Sequence, residues 1–181
     1  YTLVTEQLLT QGGNVVESLV VADLAEQMKV KVETAAFTQM IADITAVETA
    51  ISTDLIQTQI GALIDAGVDL NRVGIVANGV AYGAMTQLVA VDGVVAAQNG
   101  NSFYGRPFYA AGNLSDGAGA GGSYFMGDFS KFAIGYWGGV DFVVNPYSLD
   151  INHQVRLSIH RYYDTATLQA GAFKSRYDDT V

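Results

Sequence analysis

The chain of 181 residues contains no cysteine, which excludes disulfide bridges and thiolate metal sites. It has only two histidines, His153 and His160, and their spacing matches neither the helical nor the strand pattern of paired metal ligands. We interpret both as surface side chains. No nucleophile, base and metal-ligand set stands out, so the sequence predicts no enzyme, no catalytic residue, no metal and no cofactor.

Basic residues are also scarce. The chain has nine lysines and arginines and 18 aspartates and glutamates, which gives a net charge of −9. The nine basic residues are scattered along the chain. Proteins that grip nucleic acid need clustered basic side chains against the phosphates, so this class is excluded. No apolar run approaches the ~18 residues of a membrane-spanning helix, and we expect no membrane association. Half of the residues are hydrophobic, enough for a sizeable core.

The longest helical pattern runs over residues 14–44 and follows a weak strand over residues 1–9. Gly12-Gly13 is expected to separate the two, with Asn14 as the N-cap. At ~1.5 Å per residue this helix would be about 45 Å long, which is unusual in a chain of this size and needs an architectural reason. Its apolar residues recur at helical spacing at Val16, Val20, Leu24 and Met28.

The segments after this helix predict a small α/β lobe and then further strands. A capping-box spacing at Thr45 predicts a second helix that ends near Gly67. A short buried strand over residues 72–77 and a helix over residues 80–88 complete the lobe. Near the C-terminus, alternation predicts a half-buried strand around residues 154–160, and residues 168–173 predict a last strand.

Between Phe103 and Asn145, short aromatic runs are separated by glycines, which predicts the strands of an antiparallel sheet. Gly138-Gly139 predicts a two-residue hairpin turn, because glycine reaches positive φ at no steric cost. Gly127-Asp128 predicts a bend in which the Asp128 carboxylate bonds nearby backbone. We interpret the aromatic residues first as sheet core and second as a partner contact.

A glycine-rich segment, Gly117-Ala-Gly-Ala-Gly-Gly122, satisfies the G-x-G-x-x-G pattern of dinucleotide sites. Such a site needs a helix directly after the glycines, because the helix N-terminus holds the pyrophosphate. A strand pattern, SYFMGDF, follows instead. The segment is therefore interpreted as a flexible loop and not as a phosphate site.

Four short motifs occur in a recognisable order: Glu33-Thr-Ala-Ala-Phe37 at the end of the long helix, Gly105-Arg-Pro-Phe108, Gly127-Asp-Phe-Ser130, and Ala172-Phe173. Each is weak alone, but together they span nearly the whole chain. In this order the chain resembles the major capsid proteins of tailed bacteriophages with the Hong Kong 97-type fold. The resemblance gives the long helix a purpose, as the spine of a flat, elongated subunit.

The resemblance implies an α+β fold with a long spine helix, an antiparallel peripheral sheet and an axial α/β lobe. Residues 1–44 would form the peripheral domain with the spine helix, residues 45–140 the axial domain, and residues 141–181 the return strands of the peripheral sheet and the C-terminal strand. The family's N-terminal arm and extended loop have no counterpart here beyond a stub at residues 1–9, so we expect a chain truncated at its N-terminus.

The function implied by the resemblance is a structural shell subunit of a phage or prophage capsid. It would self-assemble into pentamers and hexamers that enclose DNA without binding it specifically. Scaffold, protease and portal proteins would be further partners, and assembly would take place in the bacterial cytoplasm to give the virion capsid. The loops within residues 91–124 are the predicted ring contacts, with these candidate residues: Gly105, Arg106, Asn113, Asp116, Gly119 and Gly122.

Two alternatives stay open from the sequence. One is an encapsulin-type compartment shell of the same fold, which would dock cargo on its inner face. The other is an α+β domain that binds a carbohydrate or small ligand with the aromatic residues between Phe103 and Phe142.

Overall fold

The computed structural model describes residues 1–88, 97–98, 102–115 and 122–177. Within these ranges there are three α-helices: α1 (Glu6–Asp43), α2 (Thr53–Asp65) and α3 (Gly79–Thr86). Its strands are β1 (Thr2–Thr5), β2 (Ala46–Val47), β3 (Val73–Ala77), β4 (Ala97–Gln98), β5 (Ser102–Phe103), β6 (Arg106–Ala110), β7 (Tyr124–Asp128), β8 (Phe132–Asn145), β9 (Gln154–Thr167) and β10 (Phe173–Arg176). Within these ranges no helix combines the length and the apolar character needed to cross a membrane.

The chain divides into two compact units. Unit 1 comprises residues 1–33 and 134–164, and unit 2 comprises residues 34–133 and 165–181. Most of α1, β8 and β9 belongs to unit 1. Each unit is built from two separate stretches of sequence, because the chain returns to unit 1 after β7 and enters unit 2 again at residue 165.

Unit 2 is built on a seven-stranded mixed sheet in the order β2-β10-β7-β3-β6-β5-β4. The central strand β3 pairs in parallel with β6 and antiparallel with β7. Every residue of β7 is buried, as expected for a strand with layers on both of its faces.

Two apolar clusters flank this sheet. The first joins α2 and α3 to side chains of the central strands, including the fully buried Ile75, Phe108 and Met126. The second joins the last turns of α1 to β7 and β10, including Phe37, Phe125 and Phe173. Successive residues of β7 alternate between the two clusters, because side chains along a strand point to opposite faces.

Helix α1 begins earlier than the sequence predicted. Gly12-Gly13 and Asn14 lie inside the helix, so the prediction of Asn14 as its N-cap is wrong. The Thr5 hydroxyl instead accepts a hydrogen bond from the Leu8 amide at 3.3 Å, which is the geometry of an N-cap. The two glycines cost about 1 kcal/mol each inside a helix, but they do not end it where flanking residues continue the helical hydrogen bonds.

The second helix begins later than predicted. Thr45 does not start it; Ala46 and Val47 form β2, which pairs in parallel with β10. The cap is Ser52, whose hydroxyl accepts from the Leu55 amide at 3.2 Å. The predicted lobe that follows is confirmed in β3 and α3, and the Asn78 side chain caps α3 by accepting from the Ala81 amide at 2.8 Å.

Unit 1 contains a three-stranded sheet in the order β1-β9-β8, with β1 antiparallel to β9. Its core is small. Val4, Leu24, Val155 and Leu157 are buried, and three half-buried side chains of α1 and β9 pack against them.

Two predictions for the second half of the sequence are wrong: a hairpin turn and the position of the last strand. Gly138-Gly139 makes no hairpin turn, because β8 runs as one strand of 14 residues through both glycines. Gly138 does take a positive φ of 67°, which fits a bulge within a strand. The last strand begins at Phe173, where the sequence prediction ended it, because residues Ala170–Ala172 form a 3-10 turn.

Candidate functional site

The candidate contact residues Gly105 and Arg106 lie at the tight turn between β5 and β6. Tyr104 and Gly105 both have positive φ, 49° and 73°, as the central residues of a two-residue hairpin turn require. The Arg106 guanidinium donates from Nη1 to the Tyr104 carbonyl at 3.1 Å. These contacts shape the turn, and the contact of both residues with a neighbouring subunit stays a prediction.

The other candidate contact residues lie on either side of residues 116–121, which the structure does not describe, or within that stretch. Asn113 is half-buried in the turn after β6. Gly122 is buried at a φ of 75°, and a Cβ there would lie 2.4 Å from the Ala81 nitrogen. Gly122 therefore has a packing role inside unit 2. Asp116, Gly119 and the glycine-rich pattern up to Gly121 lie outside the described residues.

The motifs that carried the family resemblance meet in the core of unit 2. Gly127 of β7 pairs with Phe173 of β10, and a Cβ at Gly127 would lie 2.3 Å from the Ala172 carbonyl oxygen. Glycine is required at this position because backbone occupies the space. The ring of Phe129 meets that of Phe173 edge-on, with centroids 5.6 Å apart. The motif residues thus contact one another in the core of unit 2, and their role there is packing.

Asp128 behaves as the sequence predicted. Its carboxylate accepts from the Ser130 amide at 3.0 Å and caps the 3-10 turn over Phe129–Lys131. Hydrogen bonding from Ser130 holds the pKa of Asp128 below its ordinary value, and the nearby charges of Arg72 and Lys131 act in the same direction against the effect of burial.

A buried polar chain ties the last strand to unit 2. The Tyr124 hydroxyl donates to Gln59 Oε1 at 2.6 Å, and Gln59 Nε2 donates to the Ser175 carbonyl at 3.2 Å. Burial raises the pKa of Tyr124, so the hydroxyl stays protonated and able to donate. Arg176, which is also buried, donates from Nε to the Thr49 carbonyl at 2.8 Å and from Nη1 to the Gly122 carbonyl. These bonds link α2, β7 and β10 within unit 2.

The two histidines lie in unit 1 and form no metal site there. His153 follows a 3-10 turn at a φ of 50°, and His160 lies on β9. Among the described residues, no group of three or more histidine and carboxylate side chains is placed to hold a metal ion.

Unit 1 has an open groove of about 850 Å³. Leu24, Met28 and Lys31 of α1 form one wall, and residues of β8 and β9, among them Phe142 and Ile159, form the other. The groove mixes apolar and polar side chains. The groove therefore offers a surface on which a partner could bind.

Beside this groove, β8 exposes an apolar surface that we call the β8 surface. Trp137 is 56% exposed, although large aromatic side chains normally bury most of their area. The members of the β8 surface are Ile134, Tyr136, Trp137, Val140, Phe142, Val143 and Val144. Exposed apolar side chains concentrated along one strand favour an interaction site there.

Sequence reasoning treated all of the aromatics from Phe103 to Phe142 as core first. This is confirmed for Phe103, Phe108, Tyr124 and Phe125, which are buried in unit 2. It is wrong for the aromatics of the β8 surface, where contact with a partner was the second interpretation. The composition of β8 was the signal in the sequence that set these aromatics apart. Its 14 residues include a single charged side chain, Asp141, and neither face of the strand is polar.

Comparison with known proteins gives a consistent result. A sequence model of the phage capsid family matches residues 1–175. No curated protein matches the sequence.

Solved structures similar to this chain share its fold at low sequence identity. A chain from Mycobacterium phage Che8 is 16% identical at a TM-score of 0.74, with 98% of this chain and 68% of that chain covered. A chain from the capsid of an empty GTA particle computed with C5 symmetry is 14% identical at 0.74, with coverage of 97% and 70%. A virus-like particle from Pyrococcus furiosus is 10% identical at 0.64, with coverage of 96% and 73%. The α+β fold with a long helix, predicted from the sequence, is confirmed.

Proposed function

Because the chain belongs to the phage capsid family, we propose that it acts by closing rings of five and six copies into a shell around DNA. The chain is a structural subunit of a capsid shell and not an enzyme, and its place is the virion capsid. The family match over residues 1–175 carries this conclusion. Assembly into rings of five and six copies is the more specific part of the proposal, and the C5 symmetry of the similar GTA particle capsid supports it.

The two units would divide the work of assembly. We assign the axial role, around the centre of a ring, to the sheet of unit 2 and its loops within residues 91–124. The peripheral role, between rings, falls to unit 1 with the first part of α1. The apolar β8 surface supports this assignment, because a subunit that joins neighbours needs apolar area left uncovered by its own fold.

Further partners belong to the same proposal. Scaffold, protease and portal proteins would act on the full-length protein during assembly in the bacterial cytoplasm. DNA would be enclosed without specific binding, which is consistent with a net charge of −9 and scattered basic residues.

The two alternatives are not favoured. An encapsulin-type shell is not favoured, because the family model that matches residues 1–175 is that of phage capsids. A ligand-binding domain is not favoured either. Phe103, Phe108 and Tyr124 are buried in the protein core, and the family match over residues 1–175 favours a shell subunit over ligand binding by the exposed aromatics of β8.

The test is electron microscopy of the full-length gene product, expressed with its neighbouring genes, together with light scattering. Closed shells, or free rings of five or six copies, are the expected result. Full-length protein that stays monomeric at every concentration and salt level would contradict self-association as its function.

A further inference from the structure

The outer edge of β8 is unpaired among the described residues. In the sheet of unit 1 the order is β1-β9-β8, so β9 covers one side of β8 and no described strand covers the other. An edge strand presents a row of unpaired backbone N–H and C=O groups, which is a template for another strand.

One contact shows which backbone groups face that edge. The Val143 carbonyl oxygen lies 3.5 Å from the Ser158 hydroxyl of β9, so it points toward β9. Backbone groups of successive residues in a strand point in opposite directions. The N–H and C=O groups of Phe142 and Val144 therefore face the open edge.

This edge lacks the usual protection against pairing. Natural edge strands carry lysines, prolines or inward charges, or they are short. With 14 residues β8 is long, it has no lysine, arginine or proline, and its one charged side chain is Asp141. Its irregular part is confined to residues 135–139, where Gly138 has a positive φ and the Trp137 ring lies 3.2 Å from a Cβ built on Gly135. Residues 140–144 remain extended and rich in valine.

Apolar side chains flank the open edge of β8 on both faces. Val140, Phe142 and Val144 are 50%, 38% and 54% exposed and share one face by strand alternation, while Val143, 44% exposed, lies on the other. Strand addition combines both features, because main-chain bonds form at the edge while alternate side chains are covered.

We propose that the open edge of β8 at residues 140–144 pairs with an extended segment of a second copy of this chain. The inference rests on the proposed function, because a shell subunit must bury uncovered apolar area against its own copies. It adds the surface, the residues and the mode of contact, which is strand addition.

A photo-cross-linking experiment on assembled full-length protein tests this directly. Phe142 is replaced by benzoylphenylalanine, which keeps an aromatic ring at the edge, and shells are irradiated. The expected product has twice the chain mass, and the cross-linked peptide maps to an extended segment of a second copy. The same variant, dissociated into subunits, should give no such product. A cross-link within one chain to α1 is expected in both states, because Phe142 lines the groove opposite that helix. The absence of any product of twice the chain mass from intact shells would overturn the proposal.

A matched pair of variants at Val144 provides a second readout. Val144→Pro removes the outward N–H, whereas Val144→Thr keeps it along with a β-branched side chain. We expect Val144→Pro subunits to remain folded by circular dichroism and to lose shells at least tenfold in yield, and Val144→Thr to assemble normally. Equal yields from folded Val144→Pro would overturn strand addition while leaving the shell function intact. Failure of the unmodified protein to form any particle would instead contradict the shell function itself.

Discussion

Units 1 and 2 differ in how much of their apolar side-chain area they bury. Unit 2 covers both faces of its sheet, and its large side chains, such as Phe108 and Met126, are fully buried. Among its described residues unit 1 has five buried apolar side chains, and it leaves the aromatics of β8 partly exposed to solvent. The difference indicates that unit 2 is stabilised by its own fold, whereas much of the apolar area of unit 1 is available to partners.

The same substitution, phenylalanine to alanine, should change the free energy of unfolding by very different amounts in the two units. Phe108→Ala should lower the free energy of unfolding by about 3–5 kcal/mol, because Phe108 is 1% exposed and a cavity would remain. Phe142→Ala should cost less than about 1 kcal/mol in dissociated subunits, since Phe142 is 38% exposed and its surroundings are open. Urea denaturation of both variants measures this, and equal losses would refute the contrast.

A glycine pair probes how tightly unit 2 is packed. Gly127→Ala places a Cβ against the Ala172 carbonyl and the Phe173 backbone, so we expect a loss of about 2–3 kcal/mol from overpacking. Gly61→Ala is the control, because it lies in α2 with nothing within 4 Å and should gain up to about 1 kcal/mol from helix propensity. Thermal unfolding should move in opposite directions for the two variants. A neutral Gly127→Ala would mean that the motif glycine is not required by packing.

The buried polar chain should contribute less. Tyr124→Phe removes the donor to Gln59 and leaves a buried amide oxygen without that bond, which costs about 1–3 kcal/mol. Tyr109→Phe removes an exposed hydroxyl in the same unit and should change stability by less than about 0.5 kcal/mol. If chemical denaturation finds the two variants alike, the Gln59–Tyr124 bond is not holding the sheet together.

These contrasts also show how far the sequence could lead. Helical spacing predicted most of α1, but Thr5 was missed as its cap because no Glu or Gln three residues later completes a capping box. Gly138-Gly139 was taken for a turn, since positive φ serves a bulge as well as a hairpin. The short motifs predicted the family, but their physical reason, the contact of Gly127 with Phe173, joins residues far apart in sequence.

The exposure of β8 could not be predicted from periodicity. Alternation distinguishes the two faces of a strand only where one face is polar, and β8 is apolar on both. Whether such a strand lies in a core or on a surface depends on which elements pack over it, and that is a property of the tertiary fold.

The smallest expected effect is a pH dependence in unit 2. Because the folded-state pKa of Asp128 is lowered, its contribution to stability is present above the ordinary aspartate value of 3.8 and is lost as pH falls through the folded-state pKa. Asp128→Asn should therefore lower stability at neutral pH, with the difference from the unmodified protein shrinking below pH ~4. Denaturation curves between neutral and acid pH measure it, and a constant difference would argue against a charged Asp128 in the folded state.

Hydrogen–deuterium exchange in dissociated subunits and in assembled shells tests most directly whether the edge of β8 is the association surface. The account predicts that the outward-facing amides of Phe142 and Val144 exchange quickly in subunits and become protected in shells, whereas the β7 peptide over Tyr124–Asp128 is protected in both. Unchanged, rapid exchange of these two amides in intact shells would contradict it.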